Sequence, residues 1–270
     1  MIVACAPATT GTTPAKPATT TTTTTTTTIP VRGGPIPVCA TDDPGFAVSG
    51  NVGTVDGSGS DAASVSEIRW FATDECDRLE IRFSASSGAP ALDPPPAAGV
   101  VLRDLGVLRL SLGPDVVETA VLDQLVDSVF IRTVFVVRDP NGSIFVDIHL
   151  AAAAEARLLA ASGPAMVVVD FRSAGDDYPS RPLVTDRVVV IDPTGGEVSA
   201  PLTVAGYQRS SEVILPTLTA ADGSSRQVAA SGEGGGVDSW LSFAYVFADP
   251  PAGGVILSID EINVPLTVAG

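Results

Sequence analysis

Asp147 and His149 stand two residues apart in "FVDIHL", so on an extended strand both side chains project from one face. A carboxylate beside an imidazole is the orienting half of a nucleophilic triad, which a nearby serine would complete. His149 is the only histidine in the chain. That excludes a zinc amidase centre, which needs several imidazole or carboxylate ligands converging on one ion. No nucleophile-elbow motif occurs, and strand alternation alone accounts for both residues. "DGSGSD" (Asp56 to Asp61) with Glu67 spaces oxygen ligands like a calcium loop, but Asp61 occupies the place of the required glycine, so a flexible loop is the better reading. Gly232 to Gly236 lacks the Lys-Ser/Thr of a phosphate-binding loop. The expectation is a protein that is not an enzyme, with no catalytic residue, no cofactor and no metal site.

Three cysteines carry more information. Ile2-Val3-Ala4-Cys5 has the form of a bacterial lipobox, in which the thiol of Cys5 would receive lipid. Only four residues precede it, so the match is either a truncated export signal or chance. Cys39 and Cys76 are then an even pair. A disulfide between them would close a loop of about 38 residues, contributing on the order of 4 kcal/mol and implying an oxidising compartment. Two isolated buried thiols are the alternative.

Ala6 to about Pro37 includes ten consecutive threonines, Thr19 to Thr28, flanked by prolines. Such a segment has no amphipathic face and is expected to stay extended and solvated, reaching roughly 100 Å. It reads as a stalk, or as an untethered tail. The chain carries 15 basic and 31 acidic residues, net -16. That balance argues against nucleic acid as a partner.

The body is expected to be all-β, in two β-sandwich-like modules, residues 38–178 and 186–270. In the first, Leu79, Ile81 and Phe83 alternate with Arg78, Glu80 and Arg82, and Ile68 and Trp70 lead into the hairpin. Leu108, Leu110 and Leu112 repeat the pattern around Arg109. Asp139-Pro140-Asn141-Gly142 turns a second hairpin. Glu118 to Val126 predicts one short helix, because Val121, Leu122, Leu125 and Val126 share a helical face. "IRWFATDECDRLEIRF" and "FVVRDPNGSIFVDIHL" followed by "ARLLAASGPAMVVVDF" resemble the opening and close of the AMIN-like domain of bacterial envelope proteins. That resemblance implies a non-catalytic module associated with the cell wall. Glu75 and Cys76 replace the His and Gly that often precede the family's Asp-Arg pair.

Residues 186–270 hold seven apolar stretches about ten residues apart, the pattern of a seven-stranded immunoglobulin-like sandwich. "DPTGGEVSAPLTVAGYQRSSEV", with Glu212, Trp240 and Phe243, resembles the immunoglobulin-like domain of bacterial spore-germination proteins. This implies an extracytoplasmic accessory module. Trp240 and Phe243 are expected in or beside the core. "APLTVAG" (200–206) recurs as "VPLTVAG" (264–270), read as two edge strands with the same job or, less well, as the start of a third module.

Together these features predict a lipid-anchored envelope protein, exposed to the cell wall, that binds cell-wall glycan or an envelope protein. Arg69, Arg78, Arg82 and Arg109 are the candidate ligand contacts, with solvated strand faces as the simpler alternative. A structural spacer without wall recognition is the first rival, and a hydrolase the second.

Overall fold

The computed structural model describes residues 28–29, 32–33, 39, 45–73, 76–175, 181–210, 212–228 and 238–270. Cys5 and most of the Thr/Pro segment lie outside the described residues. Among the described residues the secondary structure is strand, apart from one 3-10 turn at Arg103–Leu105. The first module runs β1 (Thr28–Ile29), β2 (Arg32–Gly33), β3 (Gly50–Val55), β4 (Ala62–Ala72), β5 (Asp77–Ala85), β6 (Ala97–Leu102) and β7 (Val107–Leu112). It continues through β8 (Glu118–Thr119), β9 (Asp123–Leu125), β10 (Ile131–Arg138), β11 (Ile144–Leu150), β12 (Ala154–Ser162) and β13 (Met166–Ser173). One sheet has the order β1-β3-β6-β7-β11-β10, and the facing sheet β2-β12-β13-β5-β4-β8. The short strands β1 and β2, within the stretch read as stalk, pair in parallel with β3 and β12.

Alternation builds the core between these sheets. Leu79, Ile81 and Phe83 meet Val167, Val169 and Phe171 from β13 and Leu108, Leu110 and Ile148 from the opposite sheet. Both hairpins form where the sequence places them, β4 with β5 and β10 with β11. The turn between β10 and β11 is braced by Asp139 and Asn141, whose side chains accept from the backbone N–H groups two residues on.

The helix expected at 118–126 is not there. Glu118–Thr119 pairs with Ser64–Val65, and Asp123–Leu125 pairs with Thr133–Phe135. Thr119 Oγ1 accepts from the Val121 N–H, which turns the chain between them. Sheet edges offered longer-range partners than one helical stripe could, and the four apolar residues part: Val121 and Val126 pack on the first core, Leu122 packs elsewhere and Leu125 is exposed.

The second module contains β14 (Leu183–Val184), β15 (Val188–Asp192), β16 (Gly196–Val198), β17 (Leu202–Gln208), β18 (Thr217–Ala220), β19 (Ser225–Gln227), β20 (Trp240–Phe247), β21 (Gly253–Ile259) and β22 (Ile262–Val268). The seven stretches read from the sequence are β15 and β17 to β22; β14 and β16 are additional. They form sheets β14-β15-β17-β20 and β16-β22-β21-β18-β19. This is the division of an immunoglobulin-like sandwich, with the second and fifth principal strands in one sheet and the third, sixth and seventh in the other. Val188, Val190, Val204, Leu218, Leu257 and Leu266 are among its core residues. The two "PLTVAG" strands are not edges: β17 lies between β15 and β20, and β22 between β16 and β21. Each is an interior strand of its own sheet, and the second repeat completes this sandwich.

The two sandwiches share a sheet. Val137–Arg138 of β10 pairs in parallel with Trp240–Leu241 of β20, and β9 covers the earlier half of the same β10 edge. The result is one 11-stranded sheet running through both modules.

On the outer face of the other sheet of the first module, Asp170 on β13 stands in register with Arg78 on β5 and Arg157 on β12. Arg78 donates from Nε and Nη2 at 2.7 and 2.9 Å, and Arg157 from the same two atoms at 3.1 and 2.9 Å. All three are buried. Phe46 packs under the guanidiniums of Arg157 and Arg172, and Cys39 is disulfide-bonded to Cys76 beside the Asp170 carboxylate. Removing the central charge takes from two buried guanidiniums the carboxylate they share. Asp170→Asn should therefore cost about 3–5 kcal/mol in urea unfolding at neutral pH; a loss below about 1 kcal/mol would show that the row is not holding the sheet.

Candidate functional site

Pleating puts Val107 and Arg109 of β7, Phe145, Asp147 and His149 of β11, and Phe135 and Val137 of β10 on the face of the shared sheet away from the first core. Val189 and Ile191 of β15, Tyr207 of β17 and Trp240 of β20 occupy the same side in the second module, and several of these residues form a separate apolar cluster. In a flat sheet β11 and β17, three strands apart, would be about 14 Å from each other. Yet the Tyr207 hydroxyl is hydrogen-bonded to His149 Nε2 and lies beside the Asp147 carboxylate. The sheet is thus sharply folded at the β10–β20 junction. Phe135 fills the fold, with ring centroids 4.7 Å from His149, 5.3 Å from Tyr207 and 5.2 Å from Trp240.

The Tyr207–His149 hydrogen bond spans the junction, and the Asp147 carboxylate adjoins it. Arg109 closes the chain, donating from Nε and Nη2 to the two Asp147 oxygens at 2.8 and 2.7 Å. Burial pushes the Asp147 carboxyl up against the pull of Arg109, and burial with the adjacent carboxylate pushes the Tyr207 hydroxyl well above its ordinary value. A second link crosses the junction outside this chain. Asp123 Oδ2 accepts from Trp240 Nε1 at 2.8 Å and from Arg209 Nη1 at 3.1 Å, and the Arg209 guanidinium lies over the indole.

The fold leaves a cleft of about 480 Å³ between the modules. Its first-module wall includes Leu102, Leu105, Arg109, Phe145 and, from the hairpin turn, Asp139. The second-module wall includes Ile191, Asp192, Ala205, Ser242, Phe243 and Ala244. Gly206 also lines it; a Cβ there would fall 2.0 Å from the Val189 carbonyl oxygen and 2.9 Å from the Phe243 ring. Partial burial pushes the Asp192 carboxyl above its usual range. The cleft thus combines an apolar floor with carboxylate, hydroxyl and guanidinium groups, suited to holding a ring with polar edges.

The four arginines singled out from the sequence part company. Arg109 lines the cleft. Arg78 is sealed in the ionic row and makes no surface contact. Arg69 pairs with Glu67 at 2.8 Å and Arg82 with Glu80 at 3.2 Å, both on the outer face of the sheet that lacks the cleft. Asp147 and His149 do share a face, but a tyrosine stands where a triad would need serine, and both are buried. Asp139, Asp192, Tyr207 and Ser242 carried no motif. The turn containing Asp139 was legible, but its proximity to β15 and β20 was not. Among the described residues, Cys39, Cys76 and Asp170 form the one cluster with metal-ligand proximity, and its sulfurs are joined to each other. No helix among the described residues is long and apolar enough to cross a membrane.

No family model, curated protein or solved structure matches the chain.

Burial, and then the positive charges of Arg132 and Arg109, hold His149 neutral down to about pH 3, against an ordinary value of 6.5. Between those pH values the unfolded chain binds a proton that the folded one refuses. The contribution of neutral His149 is therefore complete above about pH 6.5 and declines as pH falls toward 3, by up to about 1.4 kcal/mol per unit. His149→Gln keeps an N–H for Tyr207 but cannot titrate. Urea unfolding at pH 7 and pH 4.5 should show a smaller stability loss in this variant than in the wild type; equal losses would mean that His149 is not the group refusing the proton.

Proposed function

We propose that this protein is a non-catalytic, lipid-anchored component of the bacterial cell envelope that binds cell-wall glycan in the cleft between its two sandwiches. The cleft is the observation that carries the reading. It joins an apolar floor, which can pack against the C–H face of a sugar ring, to polar groups that can meet ring hydroxyls. The Asp147, Tyr207 and His149 network braces both walls, so little ordering is required on binding. The Cys39–Cys76 disulfide supports an oxidising location outside the cytoplasm. The lipobox at Cys5, the Thr/Pro stalk and the resemblances to AMIN-like and germination-type immunoglobulin-like modules support display at the membrane surface facing the wall. In this reading the partners are wall polymer and the membrane, with an envelope protein as the alternative occupant of the cleft. The buried state of His149 and Asp147 favours a binding role over hydrolysis.

Sedimentation of the full chain with purified peptidoglycan tests the proposal. The wild type should pellet. Ala244→Trp, a substitution at an exposed position in the cleft wall, should reduce pelleting about tenfold or more while leaving the thermal melt in place. Wild-type protein that stays in the supernatant would favour a spacer without wall recognition, and unimpaired pelleting of Ala244→Trp would move the site out of the cleft.

A further inference from the structure

We propose that the group recognised in the cleft is a primary ammonium, carried on a saccharide ring or a short side chain and held by Asp139 and Asp192. This rests on the reading of the cleft as the ligand site and adds the chemistry of what enters it.

The state of Arg109 weighs against the opposite charge. Among the described residues it is the only cation lining the cleft, and a cation in a wall-binding groove would ordinarily suggest a carboxylate ligand. Here both Nε and Nη2 are committed to Asp147, and Phe145 lies against the guanidinium at 4.3 Å. A ligand carboxylate could take only the remaining Nη1 edge, because Asp147 already occupies the two-pronged Nε/Nη2 face. Arg109 is thus a weaker anion receptor than an unpaired guanidinium.

The aspartates are placed differently. Neither Asp139 nor Asp192 forms an ion pair among the described residues. Asp139 uses Oδ1 to accept from the Asn141 N–H at 3.1 Å, which fixes the carboxylate while leaving Oδ2 for a ligand. Asp192 stands across the cleft on the last residue of β15. Asp139 also lies within the field of Arg109, and three carboxylates against one guanidinium leave the cleft net negative. The whole chain, at -16, adds a field that draws cations toward it. Ser242 supplies a hydroxyl, and Leu102, Leu105, Ile191 and Phe243 supply apolar surface for the carbon skeleton behind the amine. An ammonium donating to carboxylates gains charge-assisted hydrogen bonds that an acetylated nitrogen cannot make.

Two sources share this chemistry: a de-N-acetylated amino sugar and an amine-bearing side chain of a wall peptide. Calorimetric titration of the full chain with a glucosamine tetrasaccharide, its fully N-acetylated counterpart and a lysine-containing tetrapeptide separates them. At least one amine probe should bind about tenfold more tightly than the acetylated sugar, and added salt should weaken it. Asp139→Asn and Asp192→Asn should each weaken that binding severalfold with unchanged thermal melts. Equal affinity for the acetylated sugar, or full affinity in both Asn variants, would overturn the ammonium assignment. If neither amine probe binds while Ala244→Trp still abolishes pelleting on peptidoglycan, the assignment fails and the cleft reading stands. Amine binding that survives Ala244→Trp would overturn the placement in the cleft.

Discussion

The Tyr207 hydroxyl carries the central link among those that join the two halves of this molecule. Asp147 is fully buried on β11, where one guanidinium alone leaves its remaining acceptor capacity without donors. Tyr207 brings a hydroxyl from the other module to its side, and that hydroxyl is hydrogen-bonded to His149. Each member satisfies a need that its own module cannot meet, and a partly satisfied network of this kind would be worse than an apolar contact. The geometry this demands is severe: strands three places apart must come within a side chain's reach. The bend of the shared sheet, the stacking around Phe135 and the open end that becomes the cleft all follow from it.

The first module shows the same logic on its opposite surface. Three strands place Arg78, Asp170 and Arg157 in one row, and the pairing register makes the contact, since a slip of one residue would turn each charge toward the hydrocarbon core. Glu155 meets Arg172 alongside, and the disulfide and Phe46 hold the N-terminal part of the module over the row. The two sheets of the sandwich are thus constrained from outside by charge and from inside by alternating aliphatic residues.

Much of this architecture could be read directly from residue patterns. Period-two alternation located the β4–β5 and β10–β11 hairpins, and the evenly spaced apolar stretches located the seven principal strands of the second sandwich. What failed was local patterning without a long-range partner. The stripe from Val121 to Val126 has helical spacing, but β4 and β10 had open edges to pair. The recurrence of "PLTVAG" at 201–206 and 265–270 reads as two edge strands with the same job, yet both strands have neighbours on either side. At the site, alternation identified Arg109 and put Asp147 and His149 on one face. Nothing in the sequence linked them to Tyr207, or Asp139 to Asp192, because those distances are set by the fold of a sheet whose strands lie some sixty residues apart along the chain. Arg78 illustrates the converse: a strand pattern marks it as outward-facing, and only the sheet's outer cover makes it internal.

The parallel pairing of β10 with β20 has a further consequence for how such a chain can change over time. Residues 174–182 look like a natural seam, where one module might be exchanged for another by recombination. The seam is in the wrong place. A cut there would leave β10 with an open ladder, Phe135 and Phe145 facing water, and Asp147 without the tyrosine beside it, while the other fragment would carry an unmatched Trp240 edge. Any new partner for either half would have to arrive with its own strand and hydroxyl already positioned.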